Sequence, residues 1–215
     1  MVSSRSAALA GMIGAAVFAV VVVFLTMAQL GFMLGSGWEW LGASDVPWPS
    51  ALALGPLGWL QVLNFAFFGL TLVILAVGLN GGVAYSGRLS WCGPAFLVVA
   101  GIALMLASFK TDLHLSRGPQ TLHGTIHFLA FLLLVLSFLL SLFFRWRRLN
   151  RDPMWRGYAG YTLITAVLYV VLLVTWAWQW GSYLFIANVL VWVELISLRL
   201  RTVAGTPPAS APRVR

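Results

Sequence analysis

The chain of 215 residues is 61% hydrophobic and only 8% charged, with a net charge of +8. A soluble globular domain usually carries about 25% charged residues, so this composition excludes a soluble protein and indicates an integral membrane protein. The basic residues flank hydrophobic runs, so they indicate membrane topology rather than a nucleic-acid partner. Cys92 is the single cysteine, which excludes an internal disulfide and a cysteine metal cluster.

Six hydrophobic runs are long enough to be membrane spans, since a helix needs roughly 20 mainly apolar residues to cross the hydrocarbon core. They occupy residues 8–34, 57–79, 91–109, 122–144, 158–178 and 182–198. We therefore predict an all-α fold, a polytopic bundle of six transmembrane helices within residues 1–201. The Pro- and Ala-rich residues 202–215 are predicted to form a disordered cytoplasmic tail.

The basic residues also predict the orientation of the bundle. When the ends of the six runs are assigned alternately to two sides, one side receives eleven basic residues and the other receives only Lys110 and Arg117. By the positive-inside rule, both termini are cytoplasmic. The expected location is the cell inner (cytoplasmic) membrane, with the chain crossing it several times.

The connection between the first two runs is rich in Trp, Gly, Ser and Pro. We assign Trp38, Trp40 and Trp48 to the aromatic belt at the membrane interface, where amphipathic rings are enriched. Ser44 and Asp45 are expected to cap a short turn in this connection.

The most polar stretch, residues 109–127, contains all three histidines of the chain and leads into the fourth run. With both termini cytoplasmic, this stretch faces outward. Gln61, Asn64 and Asn188 lie at a similar depth on the second and sixth runs. Because polar side chains inside a membrane usually face the bundle interior or a water-filled cavity, we predict that these groups share one cavity open to the outside.

The spacing of two histidines predicts a metal site. His123 and His127 are four residues apart, so on a helix they share a face about one turn apart. That spacing suits two ligands of one divalent metal such as zinc, and Asp112 would supply a third, leaving a position for water. The residues expected to add a ligand or to surround the site are His114, Gln61, Asn64 and Asn188.

Other interpretations of the same stretch stay open. Lys110 and Arg117, together with the positive end of the fourth helix, would attract an anionic headgroup. Alternatively, the histidines are structural and Asp112 only pairs with one of these two cations. Heme is disfavoured, because His123 and His127 on one helix face cannot hold one iron from opposite sides.

A family resemblance rests on a short set of positions. They are residues 55–79, Phe109, Asp112, His123, Gly124 and His127. This pattern resembles the prokaryotic six-span membrane proteins grouped as domain of unknown function family 998. Many of these proteins have proline after the aspartate, where this chain has Leu113, which implies a change in loop shape. The resemblance extends from the first span to Leu200 and implies the fold and the topology, with no established activity.

Two main classes of function follow from these residues. In the first, the outward-facing Asp/His site acts on or binds a lipid or small amphiphile, and the metal-dependent version of this hypothesis uses a metal-activated water. In the second, the protein is a non-enzymatic accessory subunit of a larger membrane protein complex. Membrane lipids are expected partners in both classes, and a small transporter or electron carrier is a third candidate.

Overall fold

The structure is a computed structural model that describes residues 2–176 and 178–205, and these residues are mainly helical. The helices are α1 (Ser4–Ala28), α2 (Leu30–Gly35), α3 (Gly58–Gly82), α4 (Cys92–Leu106), α5 (Leu122–Leu149), α6 (Arg156–Val174) and α7 (Gln179–Ala204). Short 3₁₀ helices lie at Ser50–Leu54 and Leu115–Arg117. Among the described residues there is no β-strand, which confirms the all-α prediction.

Six of these helices form a ring. Helix α1 packs on α3, α3 on α4, α4 on α5, α5 on α6 and α6 on α7, and α7 returns to α1. Helices α3 and α4 approach closely where Gly69 faces Gly101, because a Cβ on either glycine would lie within 2.6 Å of the other's carbonyl oxygen. Small residues permit such backbone contact between membrane helices. The ring buries large side chains such as Phe138 and Trp192.

The helix lengths match a multi-pass membrane protein. Five helices, α1, α3, α5, α6 and α7, are long and apolar enough to cross a membrane. Helix α4 is apolar but has 15 residues, which corresponds to about 22 Å at 1.5 Å per residue, against roughly 30 Å of hydrocarbon. The ring therefore combines five helices of spanning length with one shorter apolar helix.

The connections gather at two opposite ends of the ring. We call the end that contains residues 36–57 and 107–121 the loop end, and the end that contains residues 83–91 and 150–155 the arginine end. At the loop end, the Tyr183 hydroxyl donates to the Trp40 carbonyl oxygen (3.0 Å). At the arginine end, Trp155 Nε1 donates to the Gly82 carbonyl oxygen (3.1 Å).

The prediction that Trp38 and Trp48 anchor the interface is wrong, because both rings are buried in the protein. Trp48 Nε1 donates to Thr26 Oγ1 (3.1 Å), and its ring meets the Tyr183 ring edge-on at 4.6 Å. Trp48 therefore buries a large apolar ring while its N–H keeps a partner, whereas the buried Trp38 Nε1 has none among the described residues. Trp40 is partly exposed, as expected of an interfacial residue. The connection therefore covers the loop end rather than lying along the membrane.

The first hydrophobic run is broken, where the sequence predicts a continuous span. Helix α1 ends at Ala28, and the side chain of the next residue, Gln29, is used by the loop. Its Nε2 donates to the Leu52 carbonyl oxygen (3.1 Å), and its Oε1 accepts from the Leu57 backbone N–H (2.8 Å). At the other terminus, α7 continues past the predicted boundary at residue 201 to Ala204. The predicted tail from residue 206 onward lies outside the described residues.

Candidate functional site

A cavity lies inside the ring, toward the loop end. Its volume is about 90 Å³, and all six ring helices and the first connection contribute to its walls. The walls are mainly apolar and aromatic, formed by residues that include Phe18, Phe65, Phe68, Phe131, Phe138, Trp176, Phe185 and Val189. His127, Ser50 and Tyr169 supply polar side chains to this lining. The cavity is therefore an apolar space with a small number of polar groups.

His127 is buried and makes hydrogen bonds through both ring nitrogens. Its Nδ1 lies 2.8 Å from the carbonyl oxygens of both Ala107 and Phe109, just beyond the C-terminal end of α4. Carbonyl oxygens only accept, so Nδ1 carries the proton in this arrangement. Nε2 is then the acceptor, and it receives the hydrogen bond of the Ser50 hydroxyl at 3.0 Å. The imidazole thereby satisfies carbonyls that a helix end leaves without partners.

The Asp112 carboxylate forms hydrogen bonds at the start of α5. It accepts from the backbone N–H groups of Gln120 (2.7 Å) and Thr121 (3.2 Å) and from Thr121 Oγ1 (2.9 Å). The N–H of Gln120 is the largest of the contacts that lower the pKa of Asp112 below 3.8. Gly124 makes room for this carboxylate, because a Cβ there would lie 1.8 Å from Oδ2. The His-Gly-x-x-His pattern thus includes a glycine required for capping.

A second carboxylate, Asp45, ties the first connection to the loop after α4. It accepts from the Ser116 backbone N–H (2.6 Å) and the Ser116 hydroxyl (2.7 Å), and it lies 3.3 Å from His114 Nδ1. The Ser116 hydroxyl is the main cause of the lowered pKa of Asp45. The turn-capping prediction applies instead to Ser44, whose hydroxyl accepts from the Val46 N–H (3.2 Å).

The three predicted metal ligands do not form one group. Among the described residues, no three His, Cys, Asp or Glu side chains are arranged to hold a metal ion. His123 is exposed and meets the Phe109 ring edge-on at 5.7 Å, whereas His127 is buried one turn deeper. Four residues along a helix correspond to about 6 Å of depth, and that difference separates the two imidazoles at the edge of the bundle.

The other predicted residues of the site are also dispersed. Asn64 Nδ2 donates to Gln61 Oε1 and to the Phe18 carbonyl oxygen, each at 3.3 Å. Asn188 Nδ2 donates to the Thr165 carbonyl oxygen (3.2 Å) and links α7 to α6. None of the three amides lines the central cavity. Among the described residues, Gln61 Nε2 and Asn64 Oδ1 are buried without a hydrogen-bond partner. A similar depth in the membrane therefore does not bring such groups together.

The loop end also has a pocket of about 170 Å³ that is lined by Asp112 and His114, among other residues. This places two of the predicted residues together, but in a separate pocket from His127. Lys110 and Arg117, the predicted anion-binding pair, are both exposed nearby. Within the described residues neither forms an ion pair with a carboxylate, so the predicted pairing of Asp112 with one of them is replaced by the capping contacts.

Sequence reasoning missed Ser50, the partner of the His127 Nε2 atom. Ser50 is 77 positions from His127 along the chain, and serine in a Pro- and Trp-rich loop carries no distinctive signal. The aromatic lining was missed for a similar reason, because Phe and Trp residues in membrane helices are common whether they face lipid or the protein. The sequence did identify His127, because a polar residue in the second turn of an apolar helix is unusual.

Comparison with known proteins identifies a family. Residues 49–201 match the model of the family described as "Protein of unknown function (DUF998)". The match covers more than half of the chain, so the protein belongs to this family, as the resemblance implied. The matched region begins after α1 and α2. No curated protein and no solved structure matches the chain.

Proposed function

Since its family has no assigned activity, we propose from its geometry that this protein binds a small amphiphile in the central cavity, with the polar group at Ser50 and His127. The observation that carries this proposal is the cavity of about 90 Å³, with aromatic walls and one hydrogen-bonded Ser–His pair. Ligand sites typically combine apolar walls with a few placed polar groups. The Ser50 hydroxyl donates to His127, so its oxygen remains free to accept from a ligand.

The size of the cavity limits the ligand. An engineered cavity of about 150 Å³ in another protein holds benzene, so this smaller space fits a few carbon atoms rather than a complete phospholipid. The ligand class is therefore a short alkyl or isoprenoid-like chain with a hydroxyl or amide head group. A metal is not part of this proposal.

Photolabelling tests the cavity proposal. A short alkanol that carries a diazirine, added to the purified protein, should label residues of the cavity wall. Val189→Phe fills the cavity and should abolish that labelling, whereas Val191→Phe, two residues away on the exposed surface of α7, should preserve it. Labelling that is equal in both variants, or confined to the outer surface, would contradict the proposal. Persistent co-purification of one partner protein would instead favour the accessory-subunit function.

The Ser50–His127 pair supports a second candidate function, acyl transfer to or from the bound amphiphile. A serine hydroxyl bonded to a neutral imidazole, which is itself oriented by a third group, is the arrangement of an activated nucleophile. Here the Ala107 and Phe109 carbonyl oxygens take the orienting role. A fluorophosphonate probe should form an adduct on Ser50 in the wild type and not in His127→Gln. An unmodified Ser50 in the wild type would exclude this candidate.

We also propose that α4 is the sixth span and that the arginine end is cytoplasmic. The distribution of basic residues supports this orientation. With six spans, eleven basic residues fall on one side of the membrane and only Lys110 and Arg117 fall on the other. Cysteines at Gln120 and Ser86, both exposed, test the orientation, because the native Cys92 is buried. A membrane-impermeant maleimide should label Gln120→Cys in intact cells and Ser86→Cys only after lysis. The reverse pattern would overturn the orientation.

A further inference from the structure

The arginine end contains a pocket with four arginines. It has a volume of about 140 Å³ and lies between the connection after α3 and the last turns of α5. Its lining consists of Tyr85, Gly87, Arg88, Leu89, Ser90, Phe144, Arg147, Arg148 and Arg151. No aspartate or glutamate is among these residues. The basic residues flanking a span therefore converge here, which membrane topology alone does not require.

Arg148 forms the buried floor of this pocket. Its guanidinium donates to the carbonyl oxygens of Tyr85 (3.0 Å), Ser90 (3.2 Å) and Val83 (2.8 Å), and to Asn80 through both the side-chain oxygen (3.0 Å) and the carbonyl oxygen (2.9 Å). These contacts fix the connection after α3 around the guanidinium. All the acceptors are neutral, so they solvate the positive charge without cancelling it.

A second buried cation lies one turn earlier on α5. Arg145 is 3% exposed, its Nε donates to Ser141 Oγ (3.2 Å), and its buried Nη2 has no hydrogen-bond partner among the described residues. The nearby Asp152 carboxylate attracts Arg148 electrostatically, but its Oδ2 atom accepts from the backbone N–H groups of Ala84 (2.8 Å) and Tyr85 (3.3 Å). Within the described part of the chain, no carboxylate forms an ion pair with an arginine at this end. Buried charges are costly unless a counter-charge balances them, and one carboxylate does not balance the five arginines gathered here.

Two of the three remaining arginines of the pocket are available to a ligand, since Arg151 donates to the Tyr85 hydroxyl. Arg88 and Arg147 are exposed, and within the described residues neither makes a side-chain hydrogen bond to the protein. Arg147 lies 5.9 Å from the centre of the Phe143 ring, and Arg151 lies 5.4 Å from that of Tyr85. These aromatic contacts hold guanidinium groups near the rim, where they can form paired bonds to phosphate oxygens.

We propose that this pocket binds the phosphate group of an anionic phospholipid. Exposed apolar side chains adjoin the cations, with Leu89 on the rim and Trp91 and Phe143 beside it. This combination suits a headgroup whose acyl chains continue along the bundle, whereas a soluble phosphate would use only the cations. Basic pockets at the membrane surface of helical bundles bind such headgroups.

Native mass spectrometry of the detergent-purified chain tests the proposal. The variant is Arg88→Gln with Arg147→Gln, which removes two positive charges without removing a structural hydrogen bond. The matched control is Lys110→Gln with Arg117→Gln, which removes the same charge at the loop end. The probes are phosphatidylglycerol, phosphatidylcholine of the same acyl chains, and inorganic phosphate. Equal unfolding temperatures of the variants and the wild type establish that the comparison concerns binding.

We expect the wild type and the control to retain phosphatidylglycerol in preference to phosphatidylcholine. The arginine-end variant should bind phosphatidylglycerol about 30-fold more weakly, from about 1 kcal/mol for each arginine. Equal loss in both double variants, or no preference for the anionic lipid, would overturn the proposal. Displacement of the lipid by millimolar inorganic phosphate would identify a soluble anion as the ligand and would overturn the lipid assignment.

Discussion

The loop end and the arginine end both place charged side chains at the edge of an apolar bundle. They differ in how those side chains are partnered. At the loop end, the Asp112 carboxylate accepts hydrogen bonds from backbone N–H groups, and Asp45 accepts from Ser116 and lies beside His114. At the arginine end, Arg148 donates to neutral oxygens, and Arg145 Nη2 is buried without a hydrogen-bond partner in the part of the chain that the structure describes. The carboxylates of the loop end are hydrogen-bonded within the chain, whereas the arginine end concentrates positive charge that an external anion would balance.

The hydrogen bonds at the loop end explain why the predicted metal ligands do not form one group. The Asp112 carboxylate is committed to capping α5, and His127 is committed to the carbonyl oxygens beyond α4. Such contacts join helices that would otherwise have unpaired backbone groups in a membrane. We therefore place the proposed function of this end in the cavity beneath the loop, where Ser50 bonds to His127. We do not place it at a metal site on the surface.

The largest expected effect is at Arg148. Replacing it with glutamine leaves most of its five hydrogen-bond acceptors without a donor, and we expect a loss of about 3–5 kcal/mol in the free energy of unfolding. Thermal unfolding of the detergent-purified protein measures it. Arg151→Gln is the control, since Arg151 is exposed, and it should change stability by less than about 0.5 kcal/mol. Similar losses of stability in both variants would contradict the structural role that we assign to Arg148 and not to Arg151.

Next in size is the effect of His127→Phe. It leaves the Ala107 and Phe109 carbonyl oxygens and the Ser50 hydroxyl without their partner, so stability should fall by about 2 kcal/mol. His123→Phe, one turn away and exposed, should change stability by less than about 0.5 kcal/mol. The same thermal measurement in one detergent compares the two. If the two histidines proved equally sensitive, the structural role assigned to His127 alone would be incorrect.

Gly124→Ala should have a smaller effect. The new Cβ would displace the Asp112 carboxylate from the N–H groups of Gln120 and Thr121, at a net cost of about 1 kcal/mol, since loss of a cap costs about that much. Gly160→Ala on α6 meets open space and should be neutral or slightly stabilising, because alanine favours helix. Unfolding temperatures check both, and a stable Gly124→Ala protein would show that the carboxylate can move without cost.

The smallest effect is a pH dependence at Asp112. Its pKa is lowered in the folded protein, so its contribution is fully present above the ordinary value of 3.8 and is lost as the pH falls through the lower folded value. Asp112→Asn should be less stable than the wild type at pH 7, by less than about 1 kcal/mol. That difference should shrink below pH 4. A difference that stays constant from pH 7 to pH 3 would contradict a charged cap.

The apolar runs were enough to predict the helices, because a membrane requires long uninterrupted apolar segments whatever their partners. The break at Gln29 was not predictable, since it depends on the loop atoms of Leu52 and Leu57. His127 and Asp112 were recognised as special residues, but their partners are mostly backbone groups, which have no sequence signature. The basic cluster was interpreted only as a topology signal, because a count of arginines does not reveal that Arg148 is buried under a pocket.

An experimental structure of the protein in nanodiscs that contain phosphatidylglycerol would test the difference between the two ends most directly. The account predicts a phosphate group within hydrogen-bond distance of Arg88 and Arg147, and Asp112 still bonded to the start of α5. A headgroup held by Lys110 and Arg117, with only water between the arginines of the opposite end, would contradict it.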